Sequence, residues 1–117
     1  MTEVTIYHNP RCSKSRQTLQ LLQEHGYEPQ VIDYIKNPLT PETLTTVLHQ
    51  LGFVSARELM RSKEDEFKAL NLAAETDEQQ LIKAMVEHPR LIERPIVVVG
   101  EQARLGRPPE AVLELLE

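Results

Sequence analysis

The sequence predicts an α/β fold, a mixed sheet assembled from the two ends of the chain with a helical insertion between the two halves. Three patterns carry the prediction. A strand, a helix and a second strand follow one another near the start. Helical periodicity with capping residues fills the middle. A β-branched run bounded by proline and glycine then returns the chain to sheet.

Thr5-Ile6-Tyr7 opens the first strand, and Asn9-Pro10 stops it, because proline disfavours helical geometry at the residue before it and suits a turn. The polar run Ser13-Lys14-Ser15-Arg16 leads into a helix with Leu19, Leu21 and Leu22 as its apolar residues and Gly26 as its stop. Val31-Ile32 begins a second strand that reaches Tyr34 or Ile35. Strand, helix and strand in so short a span read as a βαβ unit with parallel strands.

Thr40-Pro41-Glu42 is a helix start: a capping hydroxyl, proline at the first position and an acid at the positive end of the dipole. Leu44, Val47, Leu48 and Leu51 recur at helical spacing, and Gly52 ends the run. Ser55-Ala56-Arg57-Glu58 and Thr76-Asp77-Glu78-Gln79 both read as capping boxes. The stretch from about 40 to 90 is therefore expected to hold three or four short helices.

Pro95-Ile96-Val97-Val98-Val99-Gly100 is too short for a separate helix and reads as a strand, with Ala103-Arg104-Leu105 pairing to it across a tight turn at Gly100-Glu101. Pro108-Pro109-Glu110 starts a last helix with Val112, Leu113, Leu115 and Leu116 as its apolar face. The order βαβ, helices, ββα is thioredoxin-like, with the insertion at about 40–90 of a single 1–117 domain.

Composition narrows the function classes. A chain of 117 residues, 40% of them hydrophobic, supports one core. The 13 basic and 18 acidic residues leave a net charge of -5, which argues against nucleic acid or anionic membrane as the main partner. No stretch approaches the ~20 apolar residues of a membrane span. Met1-Thr2-Glu3-Val4 lacks the basic start and apolar run of a signal peptide, so a cytoplasmic location is expected. The single cysteine excludes an intrachain disulfide and a multi-thiolate zinc site, and His8, His25, His49 and His88 show no ligand spacing, so no metal or bound cofactor is expected. His25 and His88 read as helix C-terminal residues.

That cysteine, Cys12, stands between the first strand and the first helix. Unpaired N–H groups and the helix dipole there favour thiolate over thiol, and Arg11, Lys14 and Arg16 add positive charge. A polar, cationic stretch after a proline turn suits a reactive nucleophile better than an inert buried thiol. Ser15 occupies the place in C-x-x-S where a dithiol oxidoreductase carries its second cysteine, so an external thiol must complete any redox cycle. Its hydroxyl has two readings, a donor to the sulfur, or a helix-cap or solvated hydroxyl.

Arg94 immediately precedes Pro95 at the entry to the third strand, Arg107 precedes Pro108-Pro109, and Arg61 lies near the end of the Ser55 helix. Guanidinium groups suit tetrahedral oxyanions because the planar fork binds two oxygens at once. In a thioredoxin-like fold the proline at position 95 is usually cis and faces the thiol, which would deliver Arg94 beside Cys12.

His8-Asn9-Pro10-Arg11-Cys12-Ser13-Lys14-Ser15-Arg16, Leu59-Met60-Arg61, Glu93-Arg94-Pro95-Ile96-Val97 and Gly106-Arg107-Pro108 together resemble the glutaredoxin-dependent arsenate reductase family, in order and spacing along essentially the whole chain. The resemblance implies that Cys12 attacks arsenate, that Arg61, Arg94 and Arg107 bind the oxyanion, and that His8 helps to stabilise the thiolate. It also implies glutathione as co-substrate and glutaredoxin as partner. A glutathione-linked reductase of mixed disulfides would use the same Cys12. A regulator that binds RNA polymerase is a third reading, weakened because Ser15 removes the C-x-x-C switch such relatives use.

Overall fold

The structure is a computed structural model that describes residues 3–116. The chain forms two compact units, one made of the segments up to Asn37 and from Arg94 onward, the other Pro38–Glu93.

The first unit holds the sheet. Strand β1 (Val4–His8) leads into helix α1 (Ser13–Glu24) and strand β2 (Gln30–Asp33), and β3 (Ile96–Val99) and β4 (Gln102–Leu105) follow after the second unit. The strand order is β2-β1-β3-β4. β1 runs parallel to β2, with Ile6 opposite Val31, and antiparallel to β3, with Ile6 opposite Val97. β4 is antiparallel to β3. This is the mixed thioredoxin-like sheet expected from the sequence.

Alternation along the strands puts Val4, Ile6 and Val97 on one sheet face, where they form a core with Leu22 of α1 and Val112. Each such side chain, fully buried, contributes about 1.5–3 kcal/mol. The β3–β4 turn has only two residues, and Gly100 takes φ 61°, the conformation required at the first central position of one preferred hairpin turn. β2 ends at Asp33, short of the expected Tyr34 or Ile35. The Asp33 carboxylate accepts the Ile35 and Lys36 N–H groups at 3.1 and 3.3 Å, which turns the chain out of the strand. The last element, Pro109–Leu116, is a 3₁₀ helix. Val112 is buried in the core cluster and Leu115 and Leu116 pack against it, as expected, whereas Leu113 is not among the residues packed there.

The second unit is helical. Helix α2 (Pro41–Leu51) starts as expected, with the Thr43 N–H donating to Thr40 Oγ1 at 3.1 Å. The Ser55 capping box forms, but on a four-residue 3₁₀ turn, Ala56–Leu59. Helix α3 (Asp65–Ala69) and helix α4 (Glu78–Glu87) follow, with further 3₁₀ turns at Leu72–Ala74 and Pro89–Leu91. The cap of α4 is Asp77 and not Thr76: the Asp77 carboxylate accepts the Gln79 N–H at 2.9 Å. Leu44, Val47 and Leu48 of α2 are buried, as are Leu81, Ile82 and Met85 of α4, and the two helices pack together. Among the described residues no helix is long and apolar enough to cross a membrane.

Candidate active site

The loop from His8 to Cys12 is built by its own side chains. The Cys12 N–H donates to the Asn9 carbonyl at 3.0 Å, closing a turn with Pro10 at its second position. Asn9 Oδ1 accepts the Arg11 N–H at 3.0 Å, and the Arg16 guanidinium donates to the Pro10 carbonyl at 2.8 Å. Cys12 is then the N-cap of α1, with extended backbone and its carbonyl accepting the first helical hydrogen bond from Arg16. The thiol is half-buried.

Several groups act on the sulfur. Burial has the largest single influence and pushes the Cys12 pKa up. The Ser15 N–H, the hydrogen bond and charge of the Arg94 guanidinium, and the Lys14 N–H act the other way and together leave the thiol below its ordinary range. The backbone N–H groups belong to the first turn of α1, where unpaired donors are expected.

Ser15 takes neither of the roles read for its hydroxyl. The side chain is fully buried, and Oγ accepts the Asn9 N–H at 3.0 Å and lies 2.7 Å from His8 Nδ1. Its backbone N–H, not its hydroxyl, serves the sulfur. The bonds are satisfied together when Oγ–H donates to Nδ1 of a neutral imidazole protonated on Nε2. Burial lowers the His8 pKa first of all. Asp33 opposes that shift and Arg16 reinforces it. His8 thus fastens the loop through Ser15 and Asn9.

The Arg94–Pro95 and Arg107–Pro108 peptide bonds are both cis. Arg94 Nε is buried and has no hydrogen-bond partner among the described residues. Arg107 is exposed, and its Nε–H donates to the Arg94 carbonyl at 3.0 Å, so it is tied to the same segment. Arg61 belongs to the second unit. Its backbone N–H donates to the Leu91 carbonyl at 2.7 Å, and its side chain pairs with Glu64 at 3.1 Å and Glu93 at 3.8 Å. The first unit thus holds Cys12, Arg94, Arg107, His8, Ser15 and Pro95, and the second holds Arg61.

Sequence reasoning missed Gly106 and Thr18 as parts of this arrangement. A Cβ on Gly106 would lie 2.7 Å from Pro95 Cγ and closer still to Thr18 Oγ1 of α1. The Gly106 N–H also donates to the Pro95 carbonyl at 2.9 Å. Glycine here lets α1 and the Pro95 segment close on one another. No local pattern signals such an approach, because the two segments are distant in sequence.

An activated lone thiol at a helix N-terminus, touched by a guanidinium and lacking a resolving cysteine, defines a single-thiol oxidoreductase site. Residues 7–115 match the model of the ArsC family, and the chain belongs to that family. It is 46% identical to an arsenate reductase of Haemophilus influenzae, over 97% of this chain and 98% of the relative. It is 58% identical to the uncharacterized protein YfgD of Escherichia coli K12, over 97% of each. The solved structure of an arsenate reductase from Vibrio cholerae superimposes with a TM-score of 0.95 at 52% identity, covering 97% of this chain and 98% of that one.

Proposed function

We propose that this protein reduces arsenate to arsenite, with Cys12 as nucleophile and glutathione and glutaredoxin as the source of electrons. The observation that carries the reading is the Cys12 thiol held below its ordinary pKa by the Ser15 and Lys14 N–H groups and Arg94. A thiolate attacking an oxyanion meets charge repulsion. A guanidinium beside the sulfur offsets it and stabilises the added charge of the transition state. The buried Arg94 Nε, without a partner among the described residues, gains one from an incoming oxygen.

In the first step the Cys12 thiolate displaces one arsenate oxygen, which leaves as hydroxide or water, and arsenic remains As(V). The glutathione thiolate then attacks the Cys12 sulfur. A disulfide forms, the S–As bond breaks, and its electron pair stays on arsenic, which departs as As(III). Two thiols have lost two electrons and arsenic has gained two. Glutaredoxin attacks the glutathione sulfur of the mixed disulfide and frees Cys12 as thiolate. The chain has one cysteine, so it cannot close this cycle internally. Arg107, tied to the same segment as Arg94, extends the proposed oxyanion-binding set, and a cytoplasmic setting, where glutathione is abundant and reduced, suits the cycle.

The test is arsenate-dependent NADPH oxidation with glutathione, glutathione reductase and glutaredoxin. Wild type should turn over, and Cys12→Ser should keep its fold and lose all activity. Turnover supported by thioredoxin and not by glutathione would refute the coupling. Reduction of glutathione mixed disulfides with no response to arsenate would transfer the same site to the other thiol chemistry.

A further inference from the structure

We infer that the groove between α1 and the start of the Pro109–Leu116 helix is the binding site of the tripeptide thiol, an assignment that rests on the glutathione coupling proposed above. The groove has a volume of about 420 Å³, within the roughly 300–1,000 Å³ of small-molecule sites. Lys14, Gln17, Leu21 and Glu24 line it from α1, and Pro109 and Glu110 line it from the other side. Their spacing of three and four residues makes one stripe along the helix. The stripe begins two residues after the Cys12 cap and extends ~15 Å. An extended tripeptide of ~10 Å fits along it with its glycine end toward Lys14, which sets the thiol of its central cysteine one residue back from the Cys12 end.

The lining offers partners for one carboxylate, the ammonium and the amides of this ligand. Glutathione carries carboxylates at both ends, one ammonium, two amides and a thiol. Lys14 supplies a cation for a carboxylate at the thiol end of the groove. Glu110 and Glu24 supply anions for the γ-glutamyl ammonium, with one Glu24 oxygen also accepting from the Gln20 carboxamide at 3.1 Å. The Gln17 carboxamide can both donate to and accept from a peptide group. Leu21 and Pro109 give apolar contact. A bare oxyanion is the wrong occupant, because it brings no ammonium to meet the two carboxylates that line the groove beside one cation.

Gln17, Lys14 and Glu110 are exposed, so substitutions at Gln17 and Glu110 leave the core intact. The experiment measures arsenate reduction while glutathione is varied, with wild type, Gln17→Ala and Glu110→Gln. Glutaryl-cysteinyl-glycine, which is glutathione without its ammonium, serves as the second probe. Glu110→Gln should raise KM for glutathione about tenfold, the scale of one charge-assisted hydrogen bond, and Gln17→Ala about fivefold, the scale of a neutral one, with KM for arsenate unchanged. Wild type should prefer glutathione over the deaminated probe, and Glu110→Gln should lose that preference. An active wild type whose glutathione KM and probe preference survive both substitutions overturns the groove alone. A parallel rise in arsenate KM overturns it too, by giving the groove to the oxyanion. A wild type that glutathione fails to sustain overturns both the groove and the coupling.

Discussion

The two units treat the same residue type in opposite ways. In the sheet unit, Arg94 meets a thiol, and its buried Nε has no hydrogen-bond partner among the described residues. In the helical unit, Arg61 stands between Glu64 and Glu93. Arg94 thus lends its charge to the nucleophile, whereas Arg61 lends its charge to carboxylates of its own unit. An arginine in a family motif therefore supplies charge to an anion in proportion to what its own unit leaves unneutralised.

The sharpest way to break that comparison is to remove one arginine from each unit. Arg94→Ala should cost about 2.7–4 kcal/mol in transition-state stabilisation, a loss of ~10²–10³ in kcat. It should also move the pH profile of Cys12 alkylation upward, since a hydrogen bond and a charge that favour the thiolate are gone. Arg61→Ala should leave the alkylation profile where it is. Near-wild-type turnover in Arg94→Ala, or equal profile shifts in both variants, would remove the distinction.

Packing of the sheet unit offers a second probe, smaller in effect. Gly106→Ala forces a methyl against Pro95 Cγ and Thr18 Oγ1, and overpacking of this kind costs about 1–3 kcal/mol. Thr18 is fully buried, with its hydroxyl donating to the Lys14 carbonyl at 2.8 Å, so it has little freedom to give way. Urea denaturation should show the loss, and adding Thr18→Ala should return part of it by vacating one of the two clashing positions. Full stability in Gly106→Ala would mean that α1 and the Pro95 segment can separate without cost.

What was legible in the sequence follows the same division. The sheet unit was readable because its signals are short-range: alternating β-branched runs, a glycine in a two-residue turn, a cysteine before a polar helix start. The helical unit was readable only in outline. Its capping signals placed the helix starts to within a residue, with Asp77 taking the cap expected at Thr76, yet they could not separate a 3₁₀ turn from an α-helix. The fate of Ala56–Leu59 is bound to Glu78, whose carboxylate accepts the Ala56 N–H at 2.7 Å and the Ser55 hydroxyl at 2.8 Å from 22 and 23 residues away. In the site, the motif marked Cys12, His8 and Ser15, but the direction of the Ser15 hydroxyl depends on a turn that Asn9 builds. The closeness of Gly106 to Thr18 depends on the whole sheet register. Such contacts have no local sequence signature.

The finest probe is the pH dependence of the His8 link. Burial holds the folded His8 pKa below its ordinary value near 6.5, with Arg16 adding to the shift and Asp33 opposing it. As pH falls below that ordinary value, the unfolded chain takes up a proton before the folded one does. Stability from the neutral, Ser15-bonded imidazole is therefore fully present above about 6.5, is lost progressively below it, and levels off once pH passes the lower folded pKa. Cys12 has a lowered pKa as well, so the measurement belongs in the Cys12→Ser background, where no thiol titrates. There, urea midpoints should decline as pH is lowered from about 7 toward 5, and His8→Gln should flatten that part of the decline while costing stability at neutral pH. An equal decline in His8→Gln would assign the titration to another group. A midpoint that rises as pH falls would mean that Asp33, and not burial, governs the imidazole.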